Sequence, residues 1–271
     1  MTHDDPAMQA GADHGTVLES ELRHALAQQQ FVLYYQPVFD HNGHMVGAEA
    51  LIRWQHPRKG LVGPCDFIGQ SEKSDLVVEI GQWVLESACR QLAAWRGDAL
   101  MRALSIAVNI SARQARQPDF VERVTGAVAA SGVDPALLKL ELTESMLLGN
   151  VDDMIGKIRT LRAHGVTFAL DDFGTGYSSL SYLARLPITQ LKLDRSFVRN
   201  MLVTPNAATI VRAVIALGRD LGLEVVAEGV ESEDQRCALM AWGCHRFQGY
   251  LYSAPVAAAQ LARWFTTARL S

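Results

Sequence analysis

Two adjacent carboxylates, Asp171 and Asp172, end an apolar stretch of strand length and are followed by glycine and hydroxyl residues. This composition is typical of a strand that leads into a loop. Two acidic side chains at a strand end can bind a cation, although an Asp-Asp pair taken alone is more often a helix N-cap or the start of a surface loop. The pair therefore indicates a cation site only if other acidic side chains join it.

Further polar side chains stand near the ends of other apolar, strand-like segments. They are Glu49, Asn109, Glu141, Lys192, Glu228 and Gln248. Taken singly, a Glu at such a place is more often a salt-bridge partner, an Asn a turn residue and a Lys part of a solvated face. Because catalytic groups of an α/β barrel gather at the carboxyl ends of its strands, we expect these side chains to meet the Asp pair there.

Five carboxylates that converge in one barrel mouth repel one another unless cations neutralise them. Oxygen ligands of this kind, together with one amide oxygen, favour Mg²⁺ or Mn²⁺ over zinc. Two such ions, roughly 3.5–4 Å apart, are a known solution for cleaving phosphodiesters. Lys192 could orient the attacking water, or take its proton if its pKa is lowered, and Arg53 could grip a phosphate oxygen.

Repeated strand and helix patterns predict how these side chains are positioned. Residues 31–39 and 45–54 read as strands joined by a hairpin turn at 41–44, so they are expected to be antiparallel. From about residue 104 onwards, strand-like and helical segments alternate, which predicts a parallel α/β barrel. A doubly wound open sheet is the alternative, but the sequence has no glycine-rich dinucleotide-binding turn.

Length and composition favour a soluble globular chain. With 271 residues, of which 49% are apolar, the chain can bury a sizeable core. Residues 1–15 are polar and lack periodicity, which predicts a flexible N-terminal tail. Thr16 and Glu19 form a capping-box pattern that predicts the start of a helix. Because no linker or composition shift follows, residues 16–271 are expected to form one domain.

Charge and cysteine usage exclude several classes of partner. The net charge of −4 argues against a polynucleotide partner but permits a small phosphate ligand held with cations. The sequence has no apolar run of membrane-spanning length and no signal segment, so no membrane insertion is predicted. The four cysteines show no paired spacing, which favours a reducing compartment and a cytoplasmic location.

Segment 49–54, Glu-Ala-Leu-Ile-Arg-Trp, resembles the signature of the EAL family, bacterial phosphodiesterases that linearise cyclic di-GMP. Other segments resemble motifs of that family and occur in its order. They are Tyr-Gln-Pro at 35–37, Asn-Ile-Ser-Ala-Arg-Gln at 109–114, Glu-Leu-Thr-Glu-Ser at 141–145, Asp-Asp-Phe-Gly-Thr-Gly-Tyr at 171–177, Leu-Lys-Leu-Asp at 191–194, Ala-Glu-Gly-Val-Glu at 227–231 and Gln-Gly-Tyr at 248–250. The resemblance covers residues 20 to 267.

The resemblance implies an α/β fold of a modified TIM-type (β/α)8 barrel with an antiparallel first strand. It also implies metal-dependent hydrolysis of one phosphodiester bond of cyclic di-GMP, which gives linear pGpG. A two-metal site for Mg²⁺ or Mn²⁺ is implied, with the first ion held by Glu49, Asn109, Glu141 and Asp171. The second ion would be held by Asp171, Asp172 and Glu228, so that Asp171 bridges the two.

The same resemblance assigns the remaining roles. Lys192 would position the hydrolytic water and so joins Glu49, Asp171 and Asp172 in the catalytic set. The residues that would contact the cyclic dinucleotide are Gln36, Glu49, Leu51, Arg53, Asn109, Asp171 and Gln248. Glu144 would stabilise the loop after Asp172, and a homodimer is expected through that loop and the neighbouring helix.

Two departures from the family pattern leave the implied metal ligands intact. Gly69 stands where the family commonly has proline, and His245 where an aspartate is common. Two other functions stay open from the sequence. One is a receptor that binds cyclic di-GMP without useful turnover and acts through a protein partner. The other is an unrelated barrel hydrolase that cleaves generic phosphodiesters.

Overall fold

A computed structural model describes residues 6–72, 74–147, 151–174 and 180–263. Its strands are β1 Phe31–Asp40, β2 Met45–His56, β3 Gly60–Val62, β4 Ser105–Asn109, β5 Leu138–Thr143, β6 Thr167–Phe173, β7 Gln190–Leu193, β8 Glu224–Ala227, β9 Arg246–Phe247 and β10 Val256–Ala257. Its helices are α1 Pro6–Ala27, α2 Ile68–Ser71, α3 Leu76–Trp95, α4 Ala112–Ala115, α5 Phe120–Ser131, α6 Val151–Ala163, α7 Leu180–Leu183, α8 Arg195–Asn200, α9 Pro205–Asp220, α10 Glu233–Ala241 and α11 Ala258–Leu261. Three 3₁₀ turns span Pro64–Asp66, Pro135–Leu137 and Glu144–Leu147.

The strands close into a barrel in the order β1-β2-β4-β5-β6-β7-β8-β9, and β9 pairs back onto β1. All pairs from β2 to β9 in this ring are parallel, whereas β1 is antiparallel to both β2 and β9. β3 extends the sheet beside β2, and β10 pairs with β1. The predicted barrel with an antiparallel first strand is confirmed.

Side-chain alternation divides the barrel into an apolar outside and a polar inside. On β5, Leu138, Leu140 and Leu142 are fully buried and belong to the hydrophobic core. This core lies between the barrel strands and the surrounding helices. The intervening residues Lys139 and Glu141 hydrogen-bond across the barrel interior to residues of β7. Because successive side chains point to opposite faces of a strand, one short segment serves both layers.

The end of the barrel opposite the acidic cluster holds a chain of polar contacts instead of bulky aliphatic side chains. The Lys139 Nζ donates to Gln190 Oε1 at 2.9 Å, and Gln190 Nε2 donates to Glu224 Oε2 at 2.7 Å. Arg246 pairs with the same carboxylate from β9. A cavity of about 110 Å³ separates this polar layer from the ionic cluster around Lys192. The barrel interior is therefore polar along much of its length.

Three predicted element boundaries differ from the structure. Helix α1 begins at Pro6, so Thr16 lies inside it and the predicted capping box does not start the helix. Alanines at positions 7, 10 and 12 favour helix upstream of Thr16. The flexibility of residues 1–15 stays a prediction. β2 continues past the barrel to His56 because it pairs with β3, so Glu49 stands in mid-strand and not at its end.

The other differences lie near the C-terminus. The strand predicted to carry Gln248 ends at Phe247, because the chain turns at Gly249. A Cβ at Gly249 would lie 2.2 Å from the Val230 carbonyl oxygen, so only glycine allows this close approach. The last described helix, α11, ends at Leu261. Among the helices described, none has the length and apolarity needed to cross a bilayer.

The hairpin between β1 and β2 is held by the side chain of Asp40. Its Oδ1 accepts hydrogen bonds from the backbone N–H groups of Asn42 at 2.9 Å and His44 at 2.8 Å. Gly43 adopts a φ of 79°, a conformation that glycine reaches without steric cost. Partial burial alone would raise the pKa of Asp40, but the two N–H donors lower it below its usual value.

Replacing Asp40 with Ala is expected to lower the free energy of unfolding by about 1 kcal/mol at pH 7. Because the pKa of Asp40 is lower in the folded state, its carboxylate stabilises the fold above the unfolded-state pKa near 3.8. This contribution disappears as the pH falls through the folded-state pKa, so wild type and variant converge below it. Urea unfolding at several pH values measures this, and a difference that stays constant with pH contradicts it. Asp40→Asn, which keeps an acceptor but not the charge, is the control.

Candidate active site

Four carboxylates surround the ammonium group of Lys192 at the carboxyl end of the barrel strands. Lys192 Nζ lies 2.6 Å from Glu228 Oε1, 2.7 Å from Glu141 Oε2, 3.2 Å from Asp171 Oδ2 and 3.4 Å from Glu49 Oε2. Lys192 comes from β7, and its acidic partners lie on β2, β5 and β6 and just after β8. Its side chain is only 2% exposed. Residues that are far apart in sequence thus form one buried ionic cluster.

An irregularity in β6 turns the Asp pair toward this cluster. The pairing of β6 with β7 shifts register between Leu170 and Phe173, and Asp172 has a φ of 54°. Positive φ is uncommon for residues other than glycine, and Asp is among the few that adopt it. In a regular strand the two side chains would point to opposite faces. The irregularity instead lets Asp171 stay buried while Asp172 is exposed on the same side of the barrel.

Glu49 is oriented by amide groups on both sides. Asn109 Nδ2 donates to its Oε1 at 2.6 Å, and Gln248 Nε2 donates to its Oε2 at 2.7 Å. The same Gln248 nitrogen also donates to Gln36 Oε1 at 3.1 Å. Gln248 Oε1 is buried and accepts no hydrogen bond within the described part of the chain. These contacts fix the Glu49 carboxylate beside Lys192.

Burial and charge pull the pKa values of the acids in different directions. Burial raises the pKa of Glu228 to about 8, although Lys192 opposes the rise. Burial also raises the pKa of Glu141 well above its usual range. It acts in the same direction on Glu49, but Lys192 and the amide donors lower that pKa below its ordinary value. The acids of the metal-free cluster therefore differ in how readily they hold protons.

The raised pKa of Lys192 favours one of its two suggested roles. Burial alone would lower this pKa, but the surrounding carboxylates raise it well above the usual value. The group is therefore an ammonium ion beside these carboxylates. It can donate hydrogen bonds to a water or a phosphate oxygen, whereas taking a proton from water would require the lowered pKa that the sequence left open. The positioning role stays a prediction.

The acid cluster fits a divalent cation. Within the described ranges, one set of three carboxylates has ligand oxygens within 4.8 Å of one another, and it consists of Asp171, Asp172 and Glu228. This is the set expected for the second metal ion. In the set expected for the first ion, Glu49, Glu141 and Asp171 all contact Lys192. The fourth member, Asn109, donates a hydrogen bond to Glu49. Oxygen donors of this type suit Mg²⁺ and Mn²⁺.

A cleft of about 490 Å³ opens above the cluster. Of the residues expected to contact substrate, Gln36, Glu49, Leu51, Asp171 and Gln248 line it. This volume lies in the range of small-molecule sites, roughly 300–1,000 Å³. The buried acids and Lys192 form its floor, so a ligand in the cleft would lie directly against them.

Three predicted residues outside the ionic cluster are not among those that line the cleft. Asn109, which was also expected to contact the substrate, hydrogen-bonds to Glu49. Arg53 is not among the cleft-lining residues, and its Nη1 donates to the Ile52 carbonyl oxygen at 2.8 Å. Its guanidinium lies 5.8 Å from the centre of the Tyr34 ring. Glu144 begins a 3₁₀ turn after β5, and its Oε2 is buried with no hydrogen-bond partner in the described ranges. Part of the loop that Glu144 was expected to support, residues 175–179, lies outside the described residues.

The cleft also contains residues that the sequence analysis did not assign to the site. They are Cys65, Asp194, Arg195, Gly229, Glu231, Gly249 and Tyr250. Most belong to the motifs that carried the family resemblance, so those motifs were a signal for them. Cys65 and Arg195 fall outside the quoted motifs, and only the folded chain brings them to the cleft.

The family model described as EAL domain matches residues 19–255. MucR of Pseudomonas aeruginosa, named a bifunctional diguanylate cyclase/cyclic di-GMP phosphodiesterase, is 45% identical over 258 residues. PdeR of Escherichia coli, named a cyclic di-GMP phosphodiesterase, is 40% identical over 248 residues. The alignments include 95% and 92% of this chain but only 38% of MucR and 37% of PdeR. The chain thus corresponds to a part of these relatives.

A solved structure gives the same result for the fold. The MucR phosphodiesterase in complex with c-di-GMP superimposes with a TM-score of 0.87 at 45% sequence identity. The superposition covers 90% of this chain and 99% of that one. Because nearly all of the solved chain is matched, the likeness extends over the whole barrel.

Replacing Lys192 with Met is expected to leave the four carboxylates without their cation. Breaking a buried ion cluster in this way should lower the free energy of unfolding by about 3 kcal/mol in buffer with a chelator. Added Mg²⁺ should then stabilise the variant more than the wild type, because a cation at the cluster offsets the missing charge. Urea unfolding with and without Mg²⁺ measures both effects.

Lys59→Met is the matched control, because Lys59 is exposed on the surface before β3. It should change the free energy of unfolding little in either buffer. Equal stability of the Lys192 variant and the wild type in chelator would contradict the structural role of the cluster.

Proposed function

The chain belongs to the EAL domain family, and from this membership we propose that it hydrolyses cyclic di-GMP to linear pGpG with two Mg²⁺ or Mn²⁺ ions. The observation that carries the proposal is the buried cluster of Glu49, Glu141, Asp171 and Glu228 around Lys192. The cleft above it has room for a small-molecule ligand. The names of MucR and PdeR support the substrate.

The carboxylates and one amide would hold the ions in two overlapping sets. Glu49, Asn109, Glu141 and Asp171 form the first proposed set, and Asp171, Asp172 and Glu228 form the second. Bound divalent cations would supply acidified water and offset the negative charge of the phosphate. Because Asp171 lies between the two sets, its loss should affect both.

The remaining residues would orient the substrate and the water. Gln36, Leu51 and Gln248 line the cleft and would contact the nucleotide, and Arg53 would do so by turning from the Ile52 carbonyl. Lys192 would donate a hydrogen bond to the water that attacks phosphorus. The bond from phosphorus to one ribose 3′ oxygen breaks, that oxygen takes up a proton, and the new oxygen stays on the 5′ phosphate. Addition of one water thus gives pGpG.

Chromatography of cyclic di-GMP incubated with the purified chain tests this function. Wild type with Mg²⁺ or Mn²⁺ is expected to form pGpG, whereas a chelator should abolish the product. Glu49→Gln should lower kcat at least about a hundredfold, because misplacing a catalytic constellation by about 1 Å costs that much. Asp234→Asn is the control, because Asp234 is an exposed acid on α10 away from the cleft.

The same experiment separates the other functions. Intact nucleotide together with calorimetric binding would favour a receptor that acts through a protein partner. Cleavage of generic phosphodiesters without preference for cyclic di-GMP would favour an unrelated barrel hydrolase. Either result would overturn the proposed phosphodiesterase.

The homodimer stays a proposal that rests on the family resemblance. Its expected interface includes the loop after Asp172, and residues 175–179 of that loop lie outside the described ranges. Light scattering coupled to size-exclusion chromatography should give twice the chain mass of 29.7 kDa. A strict monomer that is fully active at high dilution would contradict it.

The cytoplasm stays the proposed location, supported by the unpaired cysteine spacing.

A further inference from the structure

The proposed substrate carries two phosphates, and the acid cluster can serve only the one that is cleaved. The second phosphate would enter a cleft lined with many carboxylates, so it needs a positive charge of its own. Among the described residues that line the cleft, the basic side chains are Lys192 and Arg195. Lys192 is buried and fully engaged by four carboxylates. Arg53 does not line the cleft, and its Nη1 donates to the Ile52 carbonyl oxygen. Arg195 is therefore the cleft-lining cation left for the second phosphate.

Arg195 has no ionic or hydrogen-bonding partner among the described residues. Asp194 and Glu231 line the same cleft, yet no ion pair within the described ranges joins either of them to its guanidinium. The Asp194 carboxylate is engaged elsewhere, because it accepts a hydrogen bond from the Ser196 backbone N–H at 2.9 Å. Arg195 is exposed and lines the cleft, and a guanidinium carries five N–H donors. An anionic ligand can reach them without breaking an existing contact.

A close contact between Gly229 and Arg195 fixes the position of the Arg195 backbone. Gly229 follows the metal-site residue Glu228 and has a φ of 64°. A Cβ at Gly229 would lie 2.6 Å from the Arg195 Cβ and 3.3 Å from its Cα. The segment after β8 and the start of α8 can therefore meet only because residue 229 is glycine. This contact places the stem of Arg195 directly beside the end of the acid cluster.

We propose that Arg195 binds the second, uncleaved phosphate of the cyclic dinucleotide and so helps select it over a dinucleotide with one phosphate. The inference rests on the proposed function and adds a substrate-binding residue to it. A guanidinium is suited to this role because its planar fork can donate two parallel hydrogen bonds to phosphate oxygens. Arg195 would act on binding, since it does not contact the groups around Lys192.

The test compares cyclic di-GMP with GpG, a linear dinucleotide that has the same bases but one phosphate. For Arg195→Ala, the KM for cyclic di-GMP is expected to rise about tenfold while kcat stays unchanged, because one charge-assisted hydrogen-bonding contact is lost. The inhibition constant of GpG against this reaction should not change. Arg195→Lys should fall between wild type and Arg195→Ala, because it keeps the charge but loses the fork.

Arg199→Ala is the matched control, because it removes the same charge from the same helix, α8, at an exposed position outside the cleft. It should leave the KM and the GpG inhibition constant at wild-type values. The inference is overturned if Arg195→Ala leaves the KM unchanged, if it weakens GpG as much as cyclic di-GMP, or if Arg199→Ala has the same effect.

Failure of the proposed function gives a different result. If the wild type binds cyclic di-GMP without cleaving it, dissociation constants measured by calorimetry replace KM and inhibition constants. A tenfold weaker binding of cyclic di-GMP alone by Arg195→Ala would then support the inference although hydrolysis is absent. A wild-type protein that neither binds nor cleaves cyclic di-GMP would overturn both.

Discussion

Charge balance around Lys192 is the constraint on which the site depends. One buried ammonium group contacts four carboxylates, so the acidic groups of the cluster outnumber its cation. Such a group is costly unless each charge has partners. Hydrogen bonds from Asn109 and Gln248 hold the Glu49 carboxylate in place, and burial raises the pKa values of Glu141 and Glu228. This excess of acidic groups is also what makes the site suited to divalent cations.

The barrel supports this cluster with a second polar layer. Lys139, Gln190, Glu224 and Arg246 bond to one another at the opposite end, with a small cavity between the two layers. Parallel barrels commonly fill this space with bulky branched side chains. Here the apolar packing lies outside the strands, on residues such as Leu140 and Leu191. The barrel interior thus contains mostly polar and charged side chains. The apolar side chains buried between strands and helices supply the hydrophobic contribution to the stability of the fold.

Local backbone features bring the functional groups to the cleft. The irregular register of β6 and the positive φ of Asp172 place two neighbouring carboxylates on one side of the barrel. Gly229 and Gly249 allow backbone contacts with Arg195 and Val230 that a Cβ would prevent. These positions concern geometry and not chemistry. They decide whether Glu228, Arg195 and Gln248 can face the same cleft.

Local sequence patterns are enough to predict the barrel, its antiparallel first hairpin and the acidic residues of the site. Alternation of apolar and polar residues and the turn at 41–44 are local signals, and the ordered motifs identify the family. The folded structure was needed to show that Lys192 lies among four carboxylates, that Arg53 does not line the cleft and that Arg195 does. These properties depend on distances between residues far apart in the chain, and hydrophobic patterns carry no information about such distances.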